Sequence, residues 1–312
     1  MGEVCFGIDI GGTAVKVGLF NTEGKLLNKW DFATRKTNGE ESILTDTASF
    51  VLARAKELKL DMKDILGVGV GIPGPVKENG EVLELANLAL ERMNIEDELE
   101  KLLGLKVKAG NDANVAALGE YWVGGGKGYK NLVLVTLGTG VGGGIILNGS
   151  VLAGSNGAAG EIGHMLVNED ETKVCGCGKM GCLEQYASAT GIVRLATNIL
   201  AETTEPSSMR SYTELSAKTI FDCAKENDKL ALQVVEKACR YLGITLANIA
   251  QVIDPEVFVI GGGVSKAGEI ITETTKKYFN ANVMNALKNK EFKLATLGND
   301  AGIYGAAKLI LG

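Results

Sequence analysis

Hydrophobic alternation with strand period opens the chain. Residues 4–10 are apolar and β-rich, the turn Gly11-Gly12-Thr13 follows, and 14–20 resume the alternation. A glycine turn leading into a second strand predicts a β-hairpin, because a dinucleotide-binding or P-loop turn opens a helix instead. The same design returns downstream. Residues 131–137 read as a strong strand, Gly138-Thr139-Gly140 as a turn, and 145–147 as the returning strand. The chain therefore reads as two related halves. In the first, 40–60 have helical spacing, with Ile43, Ala48, Val51, Leu52 and Ala55 on one side. A buried strand over 65–72 runs into Pro73-Gly74-Pro75, and a helix over 95–103, a strand over 105–109 and a helix over 115–121 follow. In the second, helices are predicted over 185–200, 219–227 and 229–253, with a polar surface loop at 203–213. A strand over 255–260 leads through Gly261-Gly262-Gly263 to a helix ending near 279; a strand over 292–297 and a helix over 301–311 close the chain. Strands alternating with helices define an α/β protein.

Composition narrows the class. A length of 312 residues with 46% hydrophobic content suffices for two domains with real cores. The net charge of −6, with no basic cluster, argues against nucleic acid as a partner. Seven acidic residues and one basic one between Glu81 and Glu100 read as a solvated helix face. No basic, apolar leader opens the chain and no apolar run reaches membrane-spanning length, so neither export nor membrane is expected. Cys5, Cys223 and Cys239 lie in apolar contexts and read as buried free thiols, which suits a reducing cytoplasm. The glycines, 42 against 4 prolines, fall often in loops after apolar strands, where phosphates bind.

The chemistry concentrates between Glu161 and Glu184. The only histidine, His164, precedes Cys175, Cys177 and Cys182 in a glycine-rich loop, and thiolates with an imidazole are the ligand set of a closed, structural zinc site. Gly176, Gly178 and Gly181 let the backbone fold tightly enough to turn three sulfurs inward. Glu161 and Glu184 bracket the cluster and are placed to hydrogen-bond a polar ligand. Asp9, at the end of the first strand, suits a magnesium ion held through water. Thr13 adds a hydroxyl to the backbone N–H groups of its turn, so two Gly-Thr hairpins can clamp one polyphosphate from both sides. Gly261 to Gly263 can hold a nucleoside against a helix start. Asp112 stands at a strand-to-helix junction beside Asn111, where catalysis and helix capping both fit.

Asp9-Ile10-Gly11-Gly12-Thr13, Asn111-Asp112, Leu137-Gly138-Thr139-Gly140, Glu161-Ile162-Gly163-His164 and the run from Cys175 through Cys182 to Glu184 resemble the ROK family of sugar kinases and repressors. The likeness covers the chain in order and is nearest to bacterial glucokinases. It implies an actin/hexokinase-like (ribonuclease H-like) fold with a cleft between two α/β domains, here 1–118 plus 300–312 and 119–299. It implies ATP-dependent phosphorylation of glucose at the 6-hydroxyl, with Asp112 as general base. Asn111, Asp112, Glu161, His164 and Glu184, with Gly74 and Asn87, would bind sugar. Asp9, Gly11, Gly12, Thr13, Lys16, Gly138, Thr139, Gly140 and Gly261, Gly262 and Gly263 would serve Mg-ATP. His164, Cys175, Cys177 and Cys182 would hold zinc. Two alternatives stay open: a kinase for N-acetylmannosamine, fructose or allose, and a sugar-sensing regulator without catalysis. The family's repressors carry an N-terminal DNA-binding domain, and none is expected ahead of a phosphate motif that begins at residue 9. A cytoplasmic homo-oligomer, dimer or tetramer, is expected.

Overall fold

In the computed structural model, which describes residues 2–35, 42–82, 88 and 90–312, the first hairpin forms where the alternation places it. β1 (Val4–Ile10) pairs antiparallel with β2 (Ala14–Asn21), and Ile10 faces Val15 across the turn. β3 (Leu26–Ala33), which the sequence reading did not predict, extends the sheet, with Trp30 and Phe32 alternating with Lys29 and Asp31. α1 (Ile43–Glu57) is capped by Ser42, and the predicted first residues of that helix lie outside the described residues. Then come β4 (Ile65–Ile72), the short pair β5 (Glu81–Val82) and β6 (Met93–Asn94), α2 (Ile95–Leu103), β7 (Val107–Asn111) and α3 (Asp112–Val123). The second hairpin is β8 (Leu132–Leu137) with β9 (Val141–Leu147), followed by β10 (Ser150–Val151).

The helix expected over 185–200 is two helices, α4 (Glu184–Ala187) and α5 (Ala189–Glu202). Ser188 makes the break: its hydroxyl accepts the Gly191 N–H at 3.0 Å, an N-cap bond that a continuous helix has no place for. α6 (Ala217–Lys225) and the unbroken α7 (Lys229–Ile253) lead to β11 (Val257–Gly261), α8 (Glu269–Asn282), β12 (Glu291–Leu294) and α9 (Ala301–Leu311). β12 stops three residues short of its predicted end, because 298–300 turn into a 3-10 helix that enters α9.

The duplication read from the sequence is present in the sheets. Their orders are β3-β2-β1-β4-β7 and β10-β9-β8-β11-β12, two antiparallel pairings followed by two parallel ones in each. The chain divides into two compact units. The first comprises Met1–Gly128, Gly144–Gly160 and Leu297–Gly312; the second comprises Tyr129–Gly143 and Glu161–Thr296. In the first unit the backbone of α9 lies directly on the sheet: a Cβ at Gly7 would sit 2.0 Å from the Ile303 carbonyl oxygen, and one at Gly69 1.7 Å from that of Ala306. In the second, Gly243 lets α7 lie close to α8 in the same way, with a Cβ there only 2.6 Å from the Thr275 oxygen.

The acidic run is not simply a solvated face. Glu96, 8% exposed, accepts Lys108 Nζ at 2.8 Å and the Ala109 N–H at 3.0 Å, and Glu100 accepts the Val107 N–H at 2.9 Å. Both carboxylates of α2 thus satisfy donors on the edge strand β7. Cys5, Cys223 and Cys239 are buried free thiols, and burial pushes Cys5 and Cys239 up to about 12. No helix among the described residues is long and apolar enough to cross a membrane.

Candidate active site

Four side chains from one stretch of nineteen residues converge in the second unit. The ligand atoms of His164, Cys175, Cys177 and Cys182 all lie within 4.8 Å of one another. Cys177 Sγ stands 3.6 Å from Cys182 Sγ, and Cys175 Sγ stands 3.7 Å from His164 Nδ1. With bonds of about 2.3 Å to sulfur and about 2.0–2.1 Å to nitrogen, tetrahedral angles separate two sulfurs by about 3.8 Å and a sulfur from a nitrogen by about 3.6 Å. The donor set and its spacing therefore fit a zinc ion. A backbone N–H at Lys179 lowers the thiol of the exposed Cys177, whereas burial raises that of Cys175 and pushes that of Cys182 to about 12. A cation is what such thiols need in order to ionise. The loop reverses at Gly178 and Gly181, whose φ values of 83° and 78° favour glycine.

Glu184 begins α4 and touches two features at once. Its Oε1 lies 3.6 Å from Cys175 Sγ, and its Oε2 accepts the Val141 N–H at 3.1 Å. A Cβ at Gly140 would stand 2.1 Å from that Oε2, so the carboxylate seats on the hairpin only because residue 140 is glycine. Glu161 is exposed one residue before the 3-10 turn Ile162–His164 and its carbonyl accepts the His164 N–H at 3.1 Å. Gly262, with φ of 81°, lies against the end of β8, where a Cβ would be 2.5 Å from the Leu137 oxygen. The second unit thus brings Gly261 to Gly263 beside the strand that delivers Gly138, Thr139 and Gly140.

The first unit holds the other predicted residues. At the β7–α3 junction the cap is Asn111, not Asp112: Asn111 Oδ1 accepts the N–H groups of Ala113 (3.0 Å) and Asn114 (3.1 Å). Its Nδ2 donates to the Gly74 oxygen at 3.1 Å, so Gly74 and Asn111 meet. Asp112 occupies the first helical turn with its side chain exposed, Oδ1 accepting the Ala113 N–H at 2.8 Å. Asp9 faces Lys16 across the hairpin at 3.6 Å and lies against Gly302 in the first turn of α9. Burial raises its carboxyl pKa, and the Lys16 ammonium opposes that rise. Gly11 and Gly12 form the turn, with Thr13 exposed at its tip. Asn87 lies outside the described residues.

Two threonines missed by the sequence reading hold the glycine turns. Thr34 Oγ1 donates to the Gly11 oxygen at 2.6 Å, and its N–H donates to the Thr13 oxygen at 2.9 Å. Thr190 Oγ1 donates to the Thr139 oxygen at 2.8 Å, and the Ala189 N–H to the Gly138 oxygen at 2.8 Å. The break at Ser188, a good cap inside an otherwise helical run, was the available signal for the second.

The ROK family model matches residues 5–312. The glucokinase of Halalkalibacterium halodurans is 43% identical over 97% of this chain and 94% of its own length, and that of Thermotoga maritima is 36% identical over 97% and 96%. A solved ROK family glucokinase from Streptomyces griseus, in complex with glucose and AMPPNP, has a TM-score of 0.77 at 34% identity, covering 98% of this chain and 99% of that one. The two sheets are those of the actin/hexokinase-like fold of sugar kinases. The chain belongs to the ROK family.

Proposed function

We propose that the chain is a glucokinase, transferring the γ-phosphoryl group of ATP to the 6-hydroxyl of glucose to give glucose 6-phosphate and ADP. The observation that carries this reading is 43% identity to a glucokinase over 97% of the chain. The geometry supports it with an exposed Asp112 beside an Asn111 that does the capping. In this reading Asp112 takes the hydroxyl proton as the sugar oxygen bonds to phosphorus and the bond from phosphorus to the ADP oxygen breaks. Asn111, Glu161, His164 and Glu184, with Gly74 and Asn87, hold sugar hydroxyls. His164 turns Nδ1 toward the sulfurs, which leaves Nε2 for the sugar. Gly11, Gly12, Thr13, Lys16, Gly138, Thr139 and Gly140 hold phosphates, and Gly261 to Gly263 border the adenosine.

Magnesium, with Asp9 as its protein partner through water, would supply charge neutralisation on the phosphate oxygens. Zinc on His164, Cys175, Cys177 and Cys182 would have a closed shell and stiffen the loop that leads to Glu184. The same reading makes the protein a cytoplasmic homo-oligomer of carbohydrate metabolism. A hexose panel with ATP, read by coupled ADP release, tests it: glucose should give the highest kcat/KM. A higher value with N-acetylmannosamine, fructose or allose would reassign the substrate. No sugar phosphate formed from any sugar with any phosphate donor would leave the regulator reading.

A further inference from the structure

Apolar burial does not hold the metal loop in place. Leu166, Val174 and Met180 are 59%, 61% and 49% exposed, and residues 176–180 are exposed throughout. What fastens the loop is a polar network at both of its ends. On the entry side, the Glu171 carboxylate, 10% exposed, uses both oxygens. Oε2 accepts Tyr186 Oη at 2.6 Å and pairs with Arg194 Nη2 at 2.7 Å; Oε1 accepts the N–H groups of Thr172 (3.1 Å) and Lys173 (3.0 Å). Asn168 Nδ2 donates to the same Tyr186 oxygen at 2.7 Å. On the exit side, Gln185 accepts the Cys182 N–H at 3.0 Å and donates to the Lys173 oxygen at 2.8 Å, bridging exit to entry. Arg194, from α5, donates to the Gln185 oxygen at 2.9 Å and lays its guanidinium over the Tyr186 ring, 5.0 Å from its centre.

We propose that Glu171 and Arg194 are positioning residues that clamp both ends of the loop to α5, presetting the metal ligands and the carboxylate of Glu184. Three observations carry this. The pair is largely buried, and Glu171 has both carboxylate oxygens engaged, which restricts its geometry. Its contacts reach residues 172 and 173 directly, and 168 through Tyr186, before the proposed ligand Cys175, and Gln185 and Tyr186 after the proposed ligand Cys182. Glu184 adjoins Gln185 in α4, so displacing that helix end displaces the carboxylate on Val141 and beside Cys175. Although burial works against its charge, hydrogen bonds from Arg194 and Tyr186 hold the Glu171 carboxyl down at about 2, so the clamp stays charged throughout the neutral range. Partners outside the ligand shell typically change metal affinity by about 10–100-fold when removed.

The proposal rests on the zinc and glucose reading above, and the test separates the two. Zinc bound to the purified full-length protein is first measured; a metal-free wild type would sink the zinc reading before any variant is made. Arg194→Met, Arg194→Lys and the isosteric Glu171→Gln are then compared for zinc transfer to a chromophoric chelator under native conditions, and for KM toward glucose and toward ATP. Arg194→Met should release zinc about 10–100-fold faster, with glucose KM rising more than ATP KM. Arg194→Lys should recover part of both effects, because an ammonium keeps the charge but not the planar guanidinium that lies over Tyr186 while its Nη2 serves both Glu171 and the Gln185 oxygen. Should Arg194→Met fail to fold, Glu171→Gln carries the same readings. Wild-type zinc release in a variant whose melting temperature has fallen would overturn the proposal and leave a merely structural pair. Faster release with an unchanged glucose KM would overturn the placement of Glu184.

Discussion

Replacing Asp112 by Asn removes one negative charge and leaves the local structure nearly intact. The cap of α3 is Asn111, which keeps its bonds to the Ala113 and Asn114 N–H groups in the variant. The bond that Asp112 Oδ1 accepts from Ala113 can be accepted equally by an amide oxygen. What the fold loses is a carboxylate in the first turn of a helix, about 0.3 kcal/mol at an exposed position. What the reaction loses, on the proposed mechanism, is a base. General-base assistance is worth about 10²–10⁴-fold, or about 2.7–5.4 kcal/mol in the barrier. The two accounts therefore differ by an order of magnitude in energy and fall on different observables. Coupled ADP release should show kcat down by about 10²–10⁴-fold, with ATP KM near wild type and glucose KM changed less than kcat. Urea midpoints should barely move. An Asp112→Asn protein with kcat within about threefold of wild type would take Asp112 out of the chemistry, and one whose activity loss tracked unfolding would make it structural.

Gly305→Ala should destabilise the first unit by about 1–3 kcal/mol in urea, against the ~1 kcal/mol gain usual for this change in an open helix, because its Cβ would stand 1.6 Å from the Val115 oxygen. Cys177→Ala should lower bound zinc, melting temperature and glucose affinity together; a wild type that contained no zinc, with three freely titrating thiols, would remove the metal from the account. Glu171, held at about 2 when folded against 4.5 ordinarily, contributes stability that is complete above about pH 5 and is lost as the pH falls through 4.5 toward 2. Glu171→Gln should flatten the acid side of the stability curve over that window, and an identical slope would refute the charged pairing. Thr190→Val should raise KM for ATP more than KM for glucose, since it frees the Thr139 carbonyl; equal rises would assign Thr190 to general stability.

Much of this was legible in the sequence where the signal is local. The hairpins at 4–20 and 131–147 announce themselves through alternation and a glycine turn within a few residues. The clustering of His164 with Cys175, Cys177 and Cys182 is legible because three thiols and an imidazole fall close together in a glycine-rich loop. Legibility fails where the partner is distant or the choice is between neighbours. Asn111 and Asp112 are equally good caps by type, and only the backbone path says which one is placed to cap. Glu96 and Glu100 read as solvated because their partners are backbone groups of β7, invisible in composition. Arg194 and Glu171 lie 23 residues apart, and neither fits a motif.

The tied-back carbonyls explain why a bare Gly-Thr turn suits an anion. A tight turn presents oxygens as well as N–H groups, and phosphate is repelled by the former as much as it is drawn by the latter. In each half one threonine from elsewhere in the chain occupies a turn carbonyl: Thr34 at Gly11, Thr190 at Thr139. Main-chain N–H groups take a second carbonyl in each, from Thr34 at Thr13 and from Ala189 at Gly138. The two hairpins share topology through duplication, yet their supports come from unlike elements, a loop after β3 in one and the start of α5 in the other. Support by the same residue type in the same role, from non-equivalent places, is what a common electrostatic demand on both turns produces. On the proposed kinase reading that demand would be a polyanion, which is the physical reason to propose Thr13 and Thr139 for the nucleotide and not for the neutral sugar.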